Sequence, residues 1–113
     1  MRIIVAGGRD FNDYELLCRK LDFFLSSTEN PVIVCGEARG ADSLGKRYAL
    51  ERGIPVISFP ADWDRYGKSA GFRRNKEMAA NADALVAFWD GKSRGTANMI
   101  ELMVGRPVRI VKY

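Results

Sequence analysis

The chain has 113 residues and a mass of 12.7 kDa, which is enough to bury one hydrophobic core and too little for two. Its 47% hydrophobic and 28% charged residues are ordinary for a globular protein and exclude a disordered chain, and no apolar run is long enough for a signal peptide or a membrane span. The formal net charge of +4 favours an anionic partner, but it does not separate a nucleotide from a nucleic acid. We therefore expect one cytoplasmic domain over residues 1–113, without membrane association.

The chain begins with a nearly continuous apolar run over residues 2–6 that ends in two glycines. Such a run is expected of a parallel strand that is covered on both faces. A helix is predicted next, capped by Asn12 or Asp13, with Glu15 in capping-box position relative to Asn12. The apolar stripe over residues 16–25 gives this helix one buried face.

The same alternation of strands and helices continues along the chain. Strands are predicted over residues 31–35, 55–59, 84–88 and 107–111, and helices over residues 41–52, 71–81 and 96–104. Gly53 and Gly105 stand where two of the helices should end. The one long irregular connection covers residues 60–70, and a loop of that length in a compact domain is usually functional or mobile.

Five strands that alternate with four helices predict a three-layer α/β sandwich around a parallel sheet, with right-handed crossovers. Periodicity leaves two strand orders open, a Rossmann-like 3-2-1-4-5 and a flavodoxin-like 2-1-3-4-5. Both orders place ligands at the carboxyl ends of the strands. We therefore expect the segments that follow the strands to share one edge of the sheet.

Three of the segments that follow a strand are glycine-rich turns with an arginine. They are Gly7-Gly8-Arg9-Asp10, Gly36-Glu37-Ala38-Arg39-Gly40-Ala41-Asp42 and Ser93-Arg94-Gly95-Thr96. Glycine lets backbone N–H groups approach an anion, a helix start adds partial positive charge, and arginine can clamp a phosphate. Each turn alone could be a plain strand-to-helix connection, and Ser93 or Thr96 could simply cap the last helix. Together the three turns predict an anion or nucleotide site.

Further candidates for ligand contact lie on neighbouring segments. They are Asp62, Trp63, Arg74, Asn75, Trp89 and Asp90. Trp63 could stack on a base. Adjacent residues on a helix face different directions, so one of Arg73 and Arg74 is expected to reach the site and the other to be solvated. The carboxylates could bind a ribose hydroxyl, pair with arginine, cap a helix, or act as an acid or base.

Histidine is absent, and Cys18 and Cys35 lack the paired spacing of a zinc site. Nucleophiles activated by histidine and the usual zinc hydrolases are therefore excluded. The sequence shows no dedicated metal motif and predicts no cofactor, although two carboxylates at the sheet edge could hold magnesium.

The motifs of this chain resemble those of a known family. They are Ala6-Gly7-Gly8-Arg9-Asp10-Phe11, the segment 36–42, Pro60-Ala61-Asp62-Trp63, Gly67-Lys68-Ser69-Ala70-Gly71, Arg74-Asn75-Lys76-Glu77-Met78 and Ser93-Arg94-Gly95-Thr96. They span nearly the whole chain and look like the YspA, cpYpsA-related branch of the SLOG superfamily. The resemblance implies a Rossmann-like domain that binds nucleotides or their derivatives and forms homo-oligomers. It also favours the 3-2-1-4-5 order, which sets the loops after strands one, two and four side by side.

Two better-characterised SLOG branches frame the function that the resemblance implies. The cytokinin-activating phosphoribohydrolases carry a Gly-Gly-x-Gly-Thr turn followed closely by a catalytic Glu. Here Gly95-Thr96 is present, but the first acid is Glu101, five positions beyond Thr96 and on a different side of the helix. The DNA-processing branch shares a segment like Gly36 to Asp42 and binds single-stranded DNA, which makes nucleic acid the alternative partner.

The leading hypothesis is a domain that binds a nucleotide or a nucleotide-derived molecule in order to sense, sequester or cleave it. If the ligand is cleaved, we expect N-glycosidic hydrolysis of the phosphoribohydrolase type, with Asp10, Glu37 or Glu101 assisting at the ribose. The competing hypothesis is a single-stranded DNA-binding domain of the DNA-processing type. A third is an interaction module whose site has decayed. The sequence leaves open whether the protein is an enzyme.

Overall fold

A five-stranded parallel sheet forms the centre of the fold. In the computed structural model, which describes residues 1–113, the strands are β1 (Arg2–Gly7), β2 (Val32–Cys35), β3 (Val56–Ser58), β4 (Ala84–Trp89) and β5 (Val108–Lys112). They pair in the order β3-β2-β1-β4-β5, and every neighbouring pair is parallel. The predicted strands and the 3-2-1-4-5 order are confirmed.

Helices cover both faces of this sheet. They are α1 (Tyr14–Leu25), α2 (Ala41–Glu51), α3 (Trp63–Tyr66), α4 (Ala70–Ala80) and α5 (Arg94–Leu102), with a 3₁₀ turn at Gly67–Ser69. Side chains alternate across β1, so that Val5 packs in the core beneath α1 and α2 while Ile4 packs in the core beneath α4 and α5. None of the helices combines the length and the apolar character needed to cross a membrane. The three-layer α/β sandwich is therefore confirmed.

The connection over residues 60–70 differs from the irregular loop that the sequence predicts. Asp62 caps α3 by accepting a hydrogen bond from the backbone N–H of Arg65 (3.1 Å), and the 3₁₀ turn leads directly into α4. No residue of α3 is buried. A single exposed turn produces no apolar stripe, which is why periodicity does not reveal it.

Two predicted helix starts also need correction. Asp13 caps α1, because its Oδ1 accepts from the backbone N–H of Leu16 (3.0 Å), so Glu15 does not complete a capping box with Asn12. The last helix begins at Arg94 instead of Thr96, since Ser93 is the capping residue. The capping side chain fixes where a helix begins, and several neighbouring candidates were compatible with the sequence.

Two glycines bring the loops after β1 and β2 against the end of β4. The Gly8 carbonyl accepts hydrogen bonds from the backbone N–H groups of Phe11 (3.2 Å) and Ala41 (3.3 Å), which ties the first loop to the start of α2. A Cβ atom at Gly7 would collide with the Phe88 carbonyl, and one at Gly40, where φ is +77°, would collide with the Gly8 carbonyl. These close approaches place the loops of the sheet edge side by side.

Gly45 makes an equally close approach in the core, where α2 crosses β1. A Cβ atom at Gly45 would lie 2.7 Å from Val5 Cγ1 and 2.9 Å from Val5 Cβ. We expect Gly45→Ala to lower the free energy of unfolding by about 1–2 kcal/mol, because overpacking costs more than the roughly 1 kcal/mol gained in helix propensity. Urea unfolding followed by circular dichroism measures this change.

Gly71→Ala is the matched control for this substitution. A Cβ atom at Gly71, in α4, would meet only Trp63 Cη2 at 3.4 Å. We expect the free energy of unfolding of this variant to stay unchanged or to rise by up to about 1 kcal/mol. An equal stabilisation by both substitutions would contradict the close packing of α2 on β1.

Candidate functional site

A cleft of about 510 Å³, here called the main cleft, opens at the carboxyl ends of β1 and β4. Its floor is apolar and includes Ala6, Met78 and Met99, and its walls come from the loops after β1, β2 and β4 and from the helices α3, α4 and α5. In the order β3-β2-β1-β4-β5, the strands after β1 are first added on one side of it (β2, β3) and then on the other (β4, β5), so the strand order reverses between β1 and β4. Open α/β sheets bind ligands at this switch point.

A smaller cavity of about 270 Å³, here called the side pocket, adjoins the main cleft beside the loop after β2. Its own lining is Gly36, Glu37, Arg39, Pro60 and Ala61. The two cavities share Arg9, Ala38, Trp63 and Arg74. They are therefore adjacent compartments that share part of their lining.

Asp42 and Arg74 form a polar centre between the two compartments. The buried Asp42 accepts hydrogen bonds on Oδ2 from the backbone N–H groups of Gly36 (3.1 Å) and Ala38 (3.5 Å), and Arg74 donates from Nη1 to the Gly36 carbonyl. Burial raises the pKa of the Asp42 carboxyl to about 6, although the Arg74 guanidinium and the two N–H donors oppose this rise. Burial also lowers the pKa of Arg74, against the opposing effect of Asp42. The loop after β2 is thereby fixed against α4.

Asn75 extends this polar centre from α4 to α5. Its Oδ1 accepts from Arg74 Nε (3.0 Å), and its Nδ2 donates to the Gly95 carbonyl (3.2 Å) and to Asn98 Oδ1 (3.1 Å). No buried side-chain nitrogen or oxygen in the structure lacks a hydrogen-bond partner. A satisfied network of this kind holds the walls of the main cleft in one arrangement.

The N-terminus of α5 presents free backbone donors beside the main cleft. Asp90 Oδ1 accepts from the backbone N–H of Ser93 (2.9 Å), and Ser93 Oγ accepts from that of Thr96 (3.4 Å). The N–H groups of Arg94 and Gly95 have no acceptor within the protein. Free N–H groups at the start of a helix, together with the helix dipole, favour a bound anion.

Asp10 lines the main cleft from the loop after β1 and is held by Tyr113. The Tyr113 hydroxyl donates to Asp10 Oδ1 at 2.6 Å, and its ring packs edge-on against Phe11 with centroids 4.9 Å apart. Burial and the neighbouring carboxylate raise the pKa of the Tyr113 phenol, so the hydroxyl remains a donor at neutral pH. Asp10 keeps Oδ2 free to accept a hydrogen bond from a ligand hydroxyl.

The structure brings most of the predicted ligand contacts together in the main cleft. They are Gly7, Gly8, Arg9, Asp10, Ala38, Asp42, Trp63, Arg74, Asn75, Asp90, Ser93, Gly95 and Thr96. Gly36, Glu37 and Arg39 line the side pocket instead. Of the two adjacent arginines, Arg74 reaches the cleft, whereas Arg73 stacks on the Tyr66 ring at 4.3 Å from its centroid.

Five other predicted site residues line neither cavity. They are Gly40, Asp62, Trp89, Arg94 and Glu101. Asp62 caps α3, and Trp89 donates from Nε1 to the Ser93 carbonyl (3.1 Å). Arg94 and Glu101 are exposed on α5. Of the three predicted catalytic carboxylates, only Asp10 therefore lines the main cleft.

Apart from Ala6, Met78 and Met99 of the apolar floor, three residues of the main cleft lie outside the predicted set of site residues, namely Lys68, Gly71 and Phe72. All three belong to the helical segment that follows Asp62. Lys68 and Gly71 lie within the Gly67–Gly71 motif of the family resemblance, and this motif is the sequence signal that could have identified them as site residues. No group of three or more cysteine, aspartate or glutamate side chains is arranged to hold a metal ion.

The strand order, the glycine-rich loops and the cleft at the switch point define a Rossmann-like α/β domain. The sequence model of the YspA, cpYpsA-related SLOG family (YAcAr) matches residues 1–66, and the chain belongs to this family. Over 102 residues it is 38% identical to the Gene 61 protein of Mycobacterium phage D29, a match that covers 84% of this chain and 82% of that protein. The family resemblance in the motifs is thereby confirmed.

Solved structures with the same fold include two DNA processing proteins A (DprA). The one from Streptococcus pneumoniae has a TM-score of 0.74 and 20% identity, covering 96% of this chain and 49% of that one. DprA from Helicobacter pylori, whose structure describes a single-stranded DNA binding mode, has a TM-score of 0.71 and 18% identity, covering 97% of this chain and 64% of that one. The protein TM1055 has a TM-score of 0.68 and 22% identity, covering 95% of this chain and 71% of that one. The chain spans less than two thirds of both DprA structures, and likeness at this identity shows a shared fold.

The raised pKa of Asp42 predicts a specific pH dependence of stability. Between its ordinary value of 3.8 and about 6, the folded state binds a proton that the unfolded state has lost, so stability falls as the pH rises through this window. We expect Asp42→Asn to remove this loss. The free energy of unfolding of the variant should rise relative to wild type by up to about 3 kcal/mol between pH 4 and pH 7.

Comparing the two proteins isolates Asp42, because other carboxylates titrate in both. Asp22, whose pKa is lowered by hydrogen bonds from Arg52 and Tyr48, should lose its stabilising contribution below pH 4 equally in each. Denaturant unfolding at a series of pH values measures the difference. If the free energies of unfolding of wild type and Asp42→Asn run parallel from pH 4 to pH 7, the pKa of the Asp42 carboxyl is not raised by burial, and the prediction is wrong.

Proposed function

We propose that this domain binds a nucleotide or a nucleotide-derived small molecule in the main cleft. The observation that carries the proposal is the combination, in one cleft at the sheet's switch point, of free anion-binding N–H groups with exposed aromatic rings. The free N–H of Gly95, which lines the cleft at the start of α5, would bind the phosphate together with the adjacent N–H of Arg94, assisted by the hydroxyls of Ser93 and Thr96. Membership of the SLOG family supports this class of ligand.

The aromatic side of the cleft suits a base. The rings of Trp63 and Phe72 both line the main cleft and are 49% and 47% exposed. Unlike a lone exposed ring such as Phe23, these two exposed rings share one concave cleft, and stacking on a flat ligand would remove both from water. Asp10, with its free Oδ2, would accept a hydrogen bond from a ribose hydroxyl.

The same arrangement is compatible with sensing, sequestration or cleavage of the ligand. If the protein cleaves an N-glycosidic bond, we infer that Asp10 assists at the ribose. Of the three predicted catalytic carboxylates it alone lines the main cleft, and the other two carboxylates there, Asp42 and Asp90, each accept two backbone N–H hydrogen bonds. Incubation with nucleoside monophosphates separates the roles. Release of free base that is lost in Asp10→Asn would identify a phosphoribohydrolase-like activity, whereas binding without release would identify sensing or sequestration.

Substitution of Trp63 tests the proposed binding mode. We expect Trp63→Ala to weaken the binding of a nucleoside 5′-monophosphate by about 1–3 kcal/mol, because the stacking surface is lost. Isothermal titration calorimetry with a panel of nucleoside monophosphates measures the change. Phe23→Ala is the matched control, since Phe23 is an aromatic residue of α1 that is exposed and lines neither cavity. Failure of every nucleotide to bind, or an equal loss in both variants, would contradict the proposal.

A second candidate function is binding of single-stranded DNA, and the surface beside the main cleft favours it. Arg65 and Arg73 lie over the ring of Tyr66, at 5.1 Å and 4.3 Å from its centroid, and Phe72 continues this surface into the cleft. Arginines interleaved with aromatic rings form the usual platform for single strands. The fold shared with the DprA structures, one of which describes a DNA binding mode, also supports this candidate.

The single-stranded DNA candidate makes its own prediction. Affinity for an oligonucleotide should rise with its length and fall steeply as salt increases, with a log–log slope that reports several phosphates. Fluorescence anisotropy with labelled oligonucleotides at a series of salt concentrations measures both dependences. If a mononucleotide competes as well as an oligomer, the small-molecule function stands and this candidate fails.

We further propose that residues 1–113 act as one cytoplasmic domain that forms homo-oligomers, by analogy with the family. Cys18 and Cys35 are both free thiols, which agrees with a reducing compartment. The ligand-binding measurements above should therefore be made on protein whose oligomeric state is known from sedimentation.

A further inference from the structure

The side pocket carries a strong excess of positive charge. Three of the residues that line it are arginines, Arg9, Arg39 and Arg74, and its only carboxylate is Glu37. This carboxylate is already paired, because Lys46 Nζ lies 3.2 Å from Glu37 Oε1. Asp42, outside the side pocket, offsets part of the charge of Arg74 and Arg9, but its Oδ2 is already bound by the N–H groups of Gly36 and Ala38. The three arginines therefore still give the pocket a net positive charge.

Two of these arginines have no partner in the protein. Neither Arg9 nor Arg39 donates a hydrogen bond from its side chain or joins a salt bridge, whereas the guanidinium of Arg52 binds Asp22 through two N–H groups. Arg74 is fixed in place by the Gly36 carbonyl. Nearby Arg9 adds to the effect of burial in lowering the pKa of Arg74, so the two charges repel. A bound anion would relieve this repulsion and supply the missing acceptors.

The size of the side pocket limits what this anion can be. Its volume of about 270 Å³ lies below the range of roughly 300–1,000 Å³ that is typical of pockets for whole organic ligands. A phosphate group fits such a space, whereas a second nucleoside would need a larger one. Because Arg9 and Arg74 line both compartments, a group bound in the side pocket can be covalently continuous with a nucleotide in the main cleft.

We propose that the side pocket binds a second phosphate group, so that the ligand is a nucleoside diphosphate or another nucleotide with a pyrophosphate extension. This inference rests on the nucleotide-binding function proposed above. The nucleoside and its first phosphate occupy the main cleft, and the additional phosphate accepts hydrogen bonds from Arg9, Arg39 and Arg74. The arginine fork, which binds two phosphate oxygens at once, is suited to this contact.

Calorimetric titration with a nucleoside 5′-monophosphate and the corresponding 5′-diphosphate, at one ionic strength, tests the inference. We expect wild-type protein to bind the diphosphate at least about tenfold more tightly than the monophosphate, as charge-assisted hydrogen bonds require. In Arg39→Gln the affinity for the diphosphate should fall towards that for the monophosphate, while the affinity for the monophosphate stays within about twofold.

Arg19→Gln is the matched control, because Arg19 is an exposed arginine of α1 that lines neither cavity. It removes the same charge and should retain the preference for the diphosphate. Equal affinity of wild-type protein for the two nucleotides, or an equal loss in both variants, would overturn the second phosphate site while the nucleotide function stands. If neither nucleotide binds, both proposals fail.

Discussion

The buried carboxylate of Asp42 is the contact on which the arrangement of the site depends. It satisfies two backbone N–H groups of the loop after β2 and lies beside Arg74, which in turn holds the Gly36 carbonyl and Asn75. Asn75 then binds the first turn of α5 through the Gly95 carbonyl. One chain of polar contacts thus joins three separate segments that line the cleft, where apolar packing alone would not fix their relative positions.

Burying such a network is costly, and the cost explains its composition. A charged group removed from water must recover its lost hydration from hydrogen bonds and an opposite charge. Asp42 and Arg74 recover part of it within the protein, although burial still raises the pKa of Asp42 and lowers that of Arg74. Arg9 and Arg39 are placed differently, because they stay at the surface and keep their hydration until a partner arrives. The site therefore combines a rigid buried centre with arginines at its rim whose side chains bind no other group of the protein.

Much of this fold could be predicted because its strands are continuous apolar runs and its loops carry family motifs. The predictions that were wrong concern the residues at which helices begin. The exposed turn Trp63–Tyr66 has no apolar stripe to reveal it, and the start of α5 at Arg94 could not be chosen over Thr96 while Ser93 and Thr96 were both possible caps. Two residues span more than half a turn of a helix. Which side chains of the first turn line a cleft therefore depends on the exact helix start, which is set by contacts that periodicity does not encode.

The hydroxyl of Tyr113 ties the final strand to the loop after β1 through Asp10, and its ring lies over Gly8. Any chain that continues beyond this residue, whether native or added as an affinity tag, would leave the domain beside Asp10 at the rim of the main cleft. A fusion at this end therefore approaches the proposed ligand directly. Met1 lies at the opposite, amino ends of the strands, where the N–H of Val32 binds its carbonyl (2.9 Å), so a tag attached there leaves the cleft open.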